Sequence, residues 1–315
     1  MTAEEDELSG HLNQGWVYED QVPGEAAGVE VVAFYARAYP RFSATDWRQR
    51  IEAGLIRLDG DPVNIGTRLR PGQRLTYHRP PWREEPVPAG FAVLHEDDDL
   101  VALAKPAGLP SLPGGGFLES TLLYRARARY GPSLVPAHRL GRGTSGVMLF
   151  ARTGPARTQL AADFATDAVM RVYRALVQGT GMVDRFEVTA RIGPVPYPGL
   201  GSLHAATPDG REARSECTVL ERRQAEGQAV VQVIIHTGRP HQVRVHLAAA
   251  GWPLAGDPLY RAGGVPAPPE PGRTPLPGDG GYLLHAHRVT LQHPVDRRPL
   301  TICCRPPAIL RLTGE

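Results

Sequence analysis

The residues best suited to chemistry lie in nine consecutive positions, His138-Arg139-Leu140-Gly141-Arg142-Gly143-Thr144-Ser145-Gly146, followed by an apolar run at 147–151. Three glycines and two small hydroxyls let backbone approach a ligand closely, and Arg139 and Arg142 add fixed charge in planar donor forks. This chemistry suits a phosphate-bearing substrate. Two commoner readings fail on spacing. Gly141, Gly143 and Gly146 spell a dinucleotide fingerprint with Asp163 near the place of a ribose-binding acid, but such a fingerprint must open a helix, and Val147-Met148-Leu149-Phe150 reads as a strand. A hydrolase nucleophile elbow around Ser145 needs glycine two places on, where Val147 stands. His236, His241 and His246 recur every five residues, which does not stack ligands on one helical face as a spacing of four does. No metal site is expected from this spacing.

The elements behind this loop must come from a chain of 315 residues with 42% hydrophobic content, enough for a large domain and a smaller companion. No apolar run approaches the roughly 18 residues of a membrane span, and the acidic N-terminus lacks the pattern of a signal peptide, so a cytoplasmic protein is expected. Cys217, Cys303 and Cys304 show no paired spacing that would suggest a disulfide framework or zinc site.

The net charge of +2 conceals segregation. Residues 1–30 carry eight acids and no Lys or Arg, whereas positions 37–83 hold ten arginines against four acids, and Lys105 is the only lysine. Six excess positive charges in a small region are the footprint of a phosphate-backbone binder. Residues 1–28 lack periodicity and are expected to be a flexible acidic arm.

From position 29 to 80 the pattern changes to a small basic module. Val31, Val32, Phe34, Tyr35 and Ala38 fall at helical spacings, and Ser43 or Thr45 can cap a second helix that Gly54 ends. Short strands at 55–58 and 74–77 follow, then a stiff linker at 81–90. The large domain spans 91–315. Strands are expected at 93–95, 100–104, 171–177 and 230–235, and helices at 122–128 and 156–167. A further helix should have Pro240 in its first turn and Gly251 at its end. Residues 261–281 are too rich in Gly and Pro for helix or central strand and should form an exposed excursion. Closing strands are expected at 282–286 and 300–304.

The nine-residue loop is similar to the signature of the RluA-type pseudouridine synthases, His-Arg-Leu-Asp, two variable residues, then Thr-Ser-Gly, with eight of nine positions compatible. Three more motifs agree in order. An acidic turn at 96–99 and a strand lead into Lys105-Pro106-Ala107-Gly108; Arg171-Val172-Tyr173-Arg174-Ala175 supplies a tyrosine after a basic residue. Gly238-Arg239-Pro240-His241-Gln242-Val243-Arg244 is followed by Gly256-Asp257-Pro258-Leu259-Tyr260. The basic module resembles the αL-type RNA-binding module that commonly precedes this domain.

The resemblance implies an α+β fold: a mainly antiparallel mixed sheet with flanking helices and an RNA-binding cleft, preceded by the αL-type module. It implies isomerisation of uridine to pseudouridine within rRNA or tRNA, without metal or cofactor; a monomer is the default expectation. Such an enzyme must take its target base out of the stack. Tyr173 would face that base and Arg244 would position the nucleophile. RNA contacts would come from Arg37, Arg41, Arg48, Arg50 and Arg57 in the module, and from Lys105, His138, Arg139, Arg142, Thr144, Ser145, Arg239, His241 and Gln242 around the cleft.

At the family's nucleophile position, however, stands Gly141. Arg244 thereby loses the partner expected for a buried guanidinium, which needs compensation. Asp163, Asp167 and Asp257 are the nearest substitute acids by motif position, and an RNA phosphate is the other source. Two readings stay open: an active synthase with a relocated acid, or an inactive member serving as an RNA-binding or RNA-assembly factor.

Overall fold

The computed structural model describes residues 10–40, 42–166, 168–269 and 274–315, in two compact units, Gly10–Glu84 and Glu85–Glu315.

In the small unit, β1 (Trp16–Gln21), β2 (Ile56–Leu58), β3 (Asp61–Pro62) and β4 (Arg74–Arg79) form an antiparallel sheet in the order β1-β4-β2-β3. Helices α1 (Val31–Ala38) and α2 (Ala44–Glu52) pack on it. Helix α1 buries Val31, Val32, Phe34 and Tyr35, the stripe expected from their spacing. Ser43 is the cap of α2: it accepts from the Asp46 amide while the Asp46 carboxylate accepts from the Ser43 amide. Trp47 stacks on Tyr35 at 4.4 Å and completes the core with Ile51, Ile56, Leu69 and Leu75.

The expected acidic arm is corrected here. Positions 1–9 lie outside the described residues, but from Gly10 the chain belongs to the unit, with β1 paired along β4 and Val22 and Ala26 in the core. Two of its acids are engaged: Glu19 pairs with Arg74 at 2.7 Å, and Asp20 accepts from the Tyr39 hydroxyl at 2.5 Å. The expected linker also starts late, because buried Glu84 accepts from Asn13 at 2.7 Å within the small unit.

The large unit is built on ten strands: β5 (Ala92–Glu96), β6 (Leu100–Lys105), β7 (Val135–Pro136), β8 (Ser145–Ala151), β9 (Met170–Gln178), β10 (Arg185–Val188), and, beyond a hairpin of β11 (Ile192–Tyr197) and β12 (Gly201–Ala206), β13 (Ser215–Arg223) and β14 (Gln228–Ile235). After the short pair β15 (Tyr260–Arg261) and β16 (Val265–Pro266) come β17 (Leu284–Gln292) and β18 (Pro299–Cys303). The sheet runs β10-β13-β14-β9-β17-β8-β6-β5, with β18 on β17 and β7 on β8. All pairings are antiparallel except β8 with β17, which meet in parallel at Ser145–His285 and Gly146–Ala286.

Alternate residues of the strands feed two cores. Leu100, Ala102, Val147 and Leu149 pack with Ala156 and Leu160 of α4 (Gly154–Ala165). Val101, Leu103, Tyr173, Ala175, Val231 and Val233 pack on the other face with α3 (Leu122–Tyr130) and with Val243 and Leu247 of α5 (Gln242–Ala249). Helix α5 starts later than the Pro240 expected from sequence. The Gln242 side chain accepts from the Thr237 hydroxyl and the Arg239 amide, closing a turn that leaves His241 as N-cap in the left-handed region, φ 58°. The stop is as expected, with Gly251 at φ 89°. In the expected excursion, positions 270–273 lie outside the described residues, and 261–266 fold back as the β15–β16 pair.

Candidate active site

The nine-residue loop joins β7 to β8 and is held from beneath by inward-facing side chains. Lys105, at the end of β6, donates to the carbonyls of Pro106, Leu109 and Arg142 at 2.9, 2.6 and 3.0 Å. Ser111 donates to the Leu140 carbonyl and accepts from its amide, at 2.8 and 3.2 Å. His138 stacks on Phe164, its Nε2 accepting from the Leu149 amide at 3.1 Å. The Ser145 hydroxyl meets His285 Nδ1 at 2.8 Å, and His285 Nε2 lies 3.0 Å from the Cys304 carbonyl. That carbonyl can only accept, so Nε2 carries the proton and Nδ1 accepts from Ser145.

These contacts give several of the expected RNA-contacting side chains a structural part in the loop, while Arg142 and Gln242 also line the cavities that open above it. Lys105, His138 and Ser145 hold the loop, with the Lys105 ammonium, His138 Nε2 and the Ser145 hydroxyl bonded inside the fold. Arg142 is tied by Nε to the Gly108 carbonyl at 3.1 Å and by Nη2 to Glu85 at 3.0 Å, with its guanidinium over Phe117. Gln242 holds the turn before α5 and donates to the Arg214 carbonyl and Ser215. In the small unit Arg50 is sandwiched by Phe42 and Trp47 and donates to Tyr77; Arg37, Arg48 and Arg57 are exposed, and Arg41 lies outside the described residues.

Two adjoining cavities open above the loop, sharing Arg139, Leu140, Gly141, Arg239 and His241 in their walls. The larger, about 500 Å³, runs between residues 110–114, the loop, residues 238–241 and Pro277-Gly278. The smaller, about 110 Å³, is walled by Thr144, Tyr173, Arg244, Tyr282 and Leu284. Tyr173 stands on β9 opposite Val233 of β14 and Ala286 of β17; burial pushes its phenol up, and the nearby Arg171 charge opposes this. The rim carries Arg139 and Arg239. His241 Nδ1 lies 2.6 Å from Tyr260 Oη, which itself donates to the His204 carbonyl at 2.5 Å.

Arg244 is not orphaned. Its Nε and Nη2 donate to the two oxygens of Asp257 at 2.8 and 2.7 Å, with the two side chains 3% and 1% exposed. Asp257 Oδ1 also accepts from the Leu259 and Tyr260 amides. Of the three substitute acids, then, Asp257 meets the guanidinium, but its side chain is 1% exposed and it lines neither cavity. Asp163 is removed altogether: it sits on α4, on the opposite face of the sheet, bonded to Arg297 at 3.0 Å and to Gln159 at 2.9 Å. Asp167 lies outside the described residues. Among the described residues, no carboxylate lines either cavity.

Tyr282 is the residue that sequence reasoning missed. A Cβ on Gly141 would lie 2.7 Å from its hydroxyl oxygen, and one on Gly143 would lie 2.9 Å from its ring. The phenol, 3% exposed, therefore fills the volume a side chain at 141 would need. Its hydroxyl lies 3.2 Å from Thr144 Oγ1, and the Arg244 guanidinium stands 4.1 Å from its ring centre. The sequence signal was the pair of loop glycines, whose common neighbour could not be known.

Burial gives the site a pH signature. It pushes His138 and His241 down to about 3 and His285 down to about 4, with neighbouring arginine or histidine charges adding to the effect. An unfolded histidine titrates near 6.5. These three are thus neutral when folded, and the stability present above about pH 6.5 is lost progressively as pH falls towards 3 to 4. Each should lose about 1–2 kcal/mol by pH 5. The thermal midpoint is expected to hold steady from pH 8 to 7 and fall steeply below 6.5; a midpoint unchanged at pH 5 would contradict this account.

Residues 99–249 match the family described as RNA pseudouridylate synthase. An uncharacterized RNA pseudouridine synthase of Synechocystis is 42% identical, covering 82% of this chain and 88% of its own. RNA pseudouridine synthase 5 of Arabidopsis thaliana is 39% identical over 96% of both chains, and ribosomal large subunit pseudouridine synthase D of Xanthomonas campestris is 34% identical over 89% and 86%. Among solved structures, human RNA pseudouridylate synthase domain containing 1 superposes with a TM-score of 0.55 at 23% identity, over 70% of this chain and 86% of that one, a likeness of fold.

Proposed function

We propose, given that this chain belongs to the RNA pseudouridylate synthase family, that the RNA on which it works is a structured ribosomal or transfer RNA and that it works as a monomer in the cytoplasm. The protein is an isomerase that converts uridine in RNA to pseudouridine. The observation that carries our reading of the site is the smaller cavity, where the ring of Tyr173 and the fixed guanidinium of Arg244 face the same volume.

In this reading the extruded uracil lies on Tyr173, and Arg139 and Arg239 on the rim hold the flanking phosphates. Arg244 does not swing to reach substrate. Its two bonds to Asp257 fix it, so it acts as a stationary positive charge beside the reacting sugar, needing no reorganisation during reaction. Thr144 and the loop carbonyls close the floor. No change in oxidation state occurs: the C1′–N1 bond breaks, the base turns, and C1′ bonds to C5 as the C5 proton leaves.

The test uses that proton. RNA from a strain lacking the gene, labelled with tritium at the five-position of uridine, should release tritium on incubation with the purified protein. The modified position, mapped by sequencing, should fall in rRNA or tRNA. Tight binding without release would support the RNA-binding alternative instead.

A further inference from the structure

We propose that the Tyr282 hydroxyl is the group that reacts at the ribose, standing in the volume left by the missing side chain of residue 141. The inference rests on the isomerase reading above and adds the identity of its reacting atom.

Three observations converge on this atom. First, Gly141 and Gly143 both yield to the same ring: any side chain at 141 would press on the hydroxyl and any at 143 on the ring carbons. Second, the hydroxyl is held rather than loose, 3.2 Å from Thr144 Oγ1, in a side chain that lines the smaller cavity with Tyr173 and Arg244. Third, the Arg244 guanidinium, held by Asp257, lies 4.1 Å from the ring centre and fixes the phenol in the wall of the cavity. Other groups fit less well. Asp257 is 1% exposed and lines neither cavity, and Thr144 carries an aliphatic hydroxyl, a far weaker acid than a phenol.

The chemistry balances without a further reactant. Tyr282 Oη attacks C1′ as the C1′–N1 bond breaks; the bonding pair leaves with uracil, which receives the phenol proton. The product is an aryl glycoside at Tyr282 and free uracil in the cavity. After the ring turns, C5 attacks C1′, the C1′–O bond breaks, and tyrosinate leaves beside Arg244. The C5 proton then returns to the tyrosinate oxygen. One proton leaves the hydroxyl and one comes back, so the enzyme is restored and uridine has become its isomer. Tyrosine serves as a glycosidic nucleophile elsewhere, in sialidases.

The experiment compares Tyr282→Phe with wild type for tritium release in single turnover, RNA affinity and thermal midpoint. Phenylalanine keeps the ring that fills the space. Release should fall about 100- to 10,000-fold, with affinity and midpoint nearly unchanged. A double variant, Gly141→Asp with Tyr282→Leu, makes room for a carboxylate in the same volume and should recover part of the lost rate. Release by Tyr282→Phe within threefold of wild type would overturn the inference while leaving the isomerase reading intact. If wild type binds RNA but releases nothing, the isomerase reading falls and this inference with it.

Discussion

Removing the Asp257 carboxylate, as Asp257→Ala, is expected to destabilise the large unit by about 3–5 kcal/mol, because Arg244 would keep a charge in the interior with nothing to answer it. The guanidinium side chain is 3% exposed and gives two bonds to this one group. The same variant strips Oδ1 from the Leu259 and Tyr260 amides, which shape the turn leading into β15. Turnover should be lost with it, since a released Arg244 no longer stands over Tyr282 at a set distance. The check is urea unfolding beside Arg244→Met, which removes the charge and should be milder than Asp257→Ala. Equal midpoints for wild type and Asp257→Ala would show that the pair contributes nothing.

Gly146→Ala is expected to cost about 3–5 kcal/mol, enough to empty the soluble fraction on expression. Gly146 sits at φ 113°, and a Cβ there would lie 2.1 Å from the Ala286 carbonyl oxygen and 2.7 Å from its amide nitrogen. These are backbone atoms of the parallel register between β8 and β17, so no side chain can turn aside to make room. The strain also bears on the neighbouring Thr144 and Ser145 and hence on the site. Circular dichroism and a thermal melt decide the point; a variant melting within a few degrees of wild type would mean the strands can slide apart there.

Much of this architecture was legible because it is local. The alternating or wholly apolar runs of β9 and β14, the capping box at Ser43, the stop at Gly251 and the four ordered motifs are all readable within a few residues of chain. What escaped depends on distant pairings. Tyr282 was read as the start of a closing strand, yet its meaning comes from Thr144, 138 positions away. Asp257 was named among three acids without a way to choose, since only the packing of α5 against the turn before β15 brings its carboxylate to Arg244. Strand β1 was missed for a different reason: it is mostly exposed, so it carries neither an apolar alternation nor a buried run. Pro240 misled because proline suits a first helical turn in general, whereas here the Gln242 side chain has already closed the turn.

The placement of β17 has a consequence for how the protein is made. This strand lies in the middle of the sheet, between β9 and β8, yet it is the last long strand to leave the ribosome. Until residues 284–292 emerge, the nascent chain holds two half-sheets, β10-β13-β14-β9 and β8-β6-β5: β9 lacks its partner along Met170–Ala175, and β8, covered by β7 at Phe150–Ala151, lacks its partner at Ser145–Gly146. The closing contact spans 140 positions, from Ser145 to His285, so assembly pays a large loop entropy before any central pairing rewards it. Open edges of this kind are templates for aggregation, and their exposure lasts as long as translation does. The catalytic volume is completed only in that final event, because Tyr282 and Leu284 arrive with the strand. The unfinished chain therefore has no pocket in which to hold a base, and RNA meets a competent site only once synthesis is nearly over.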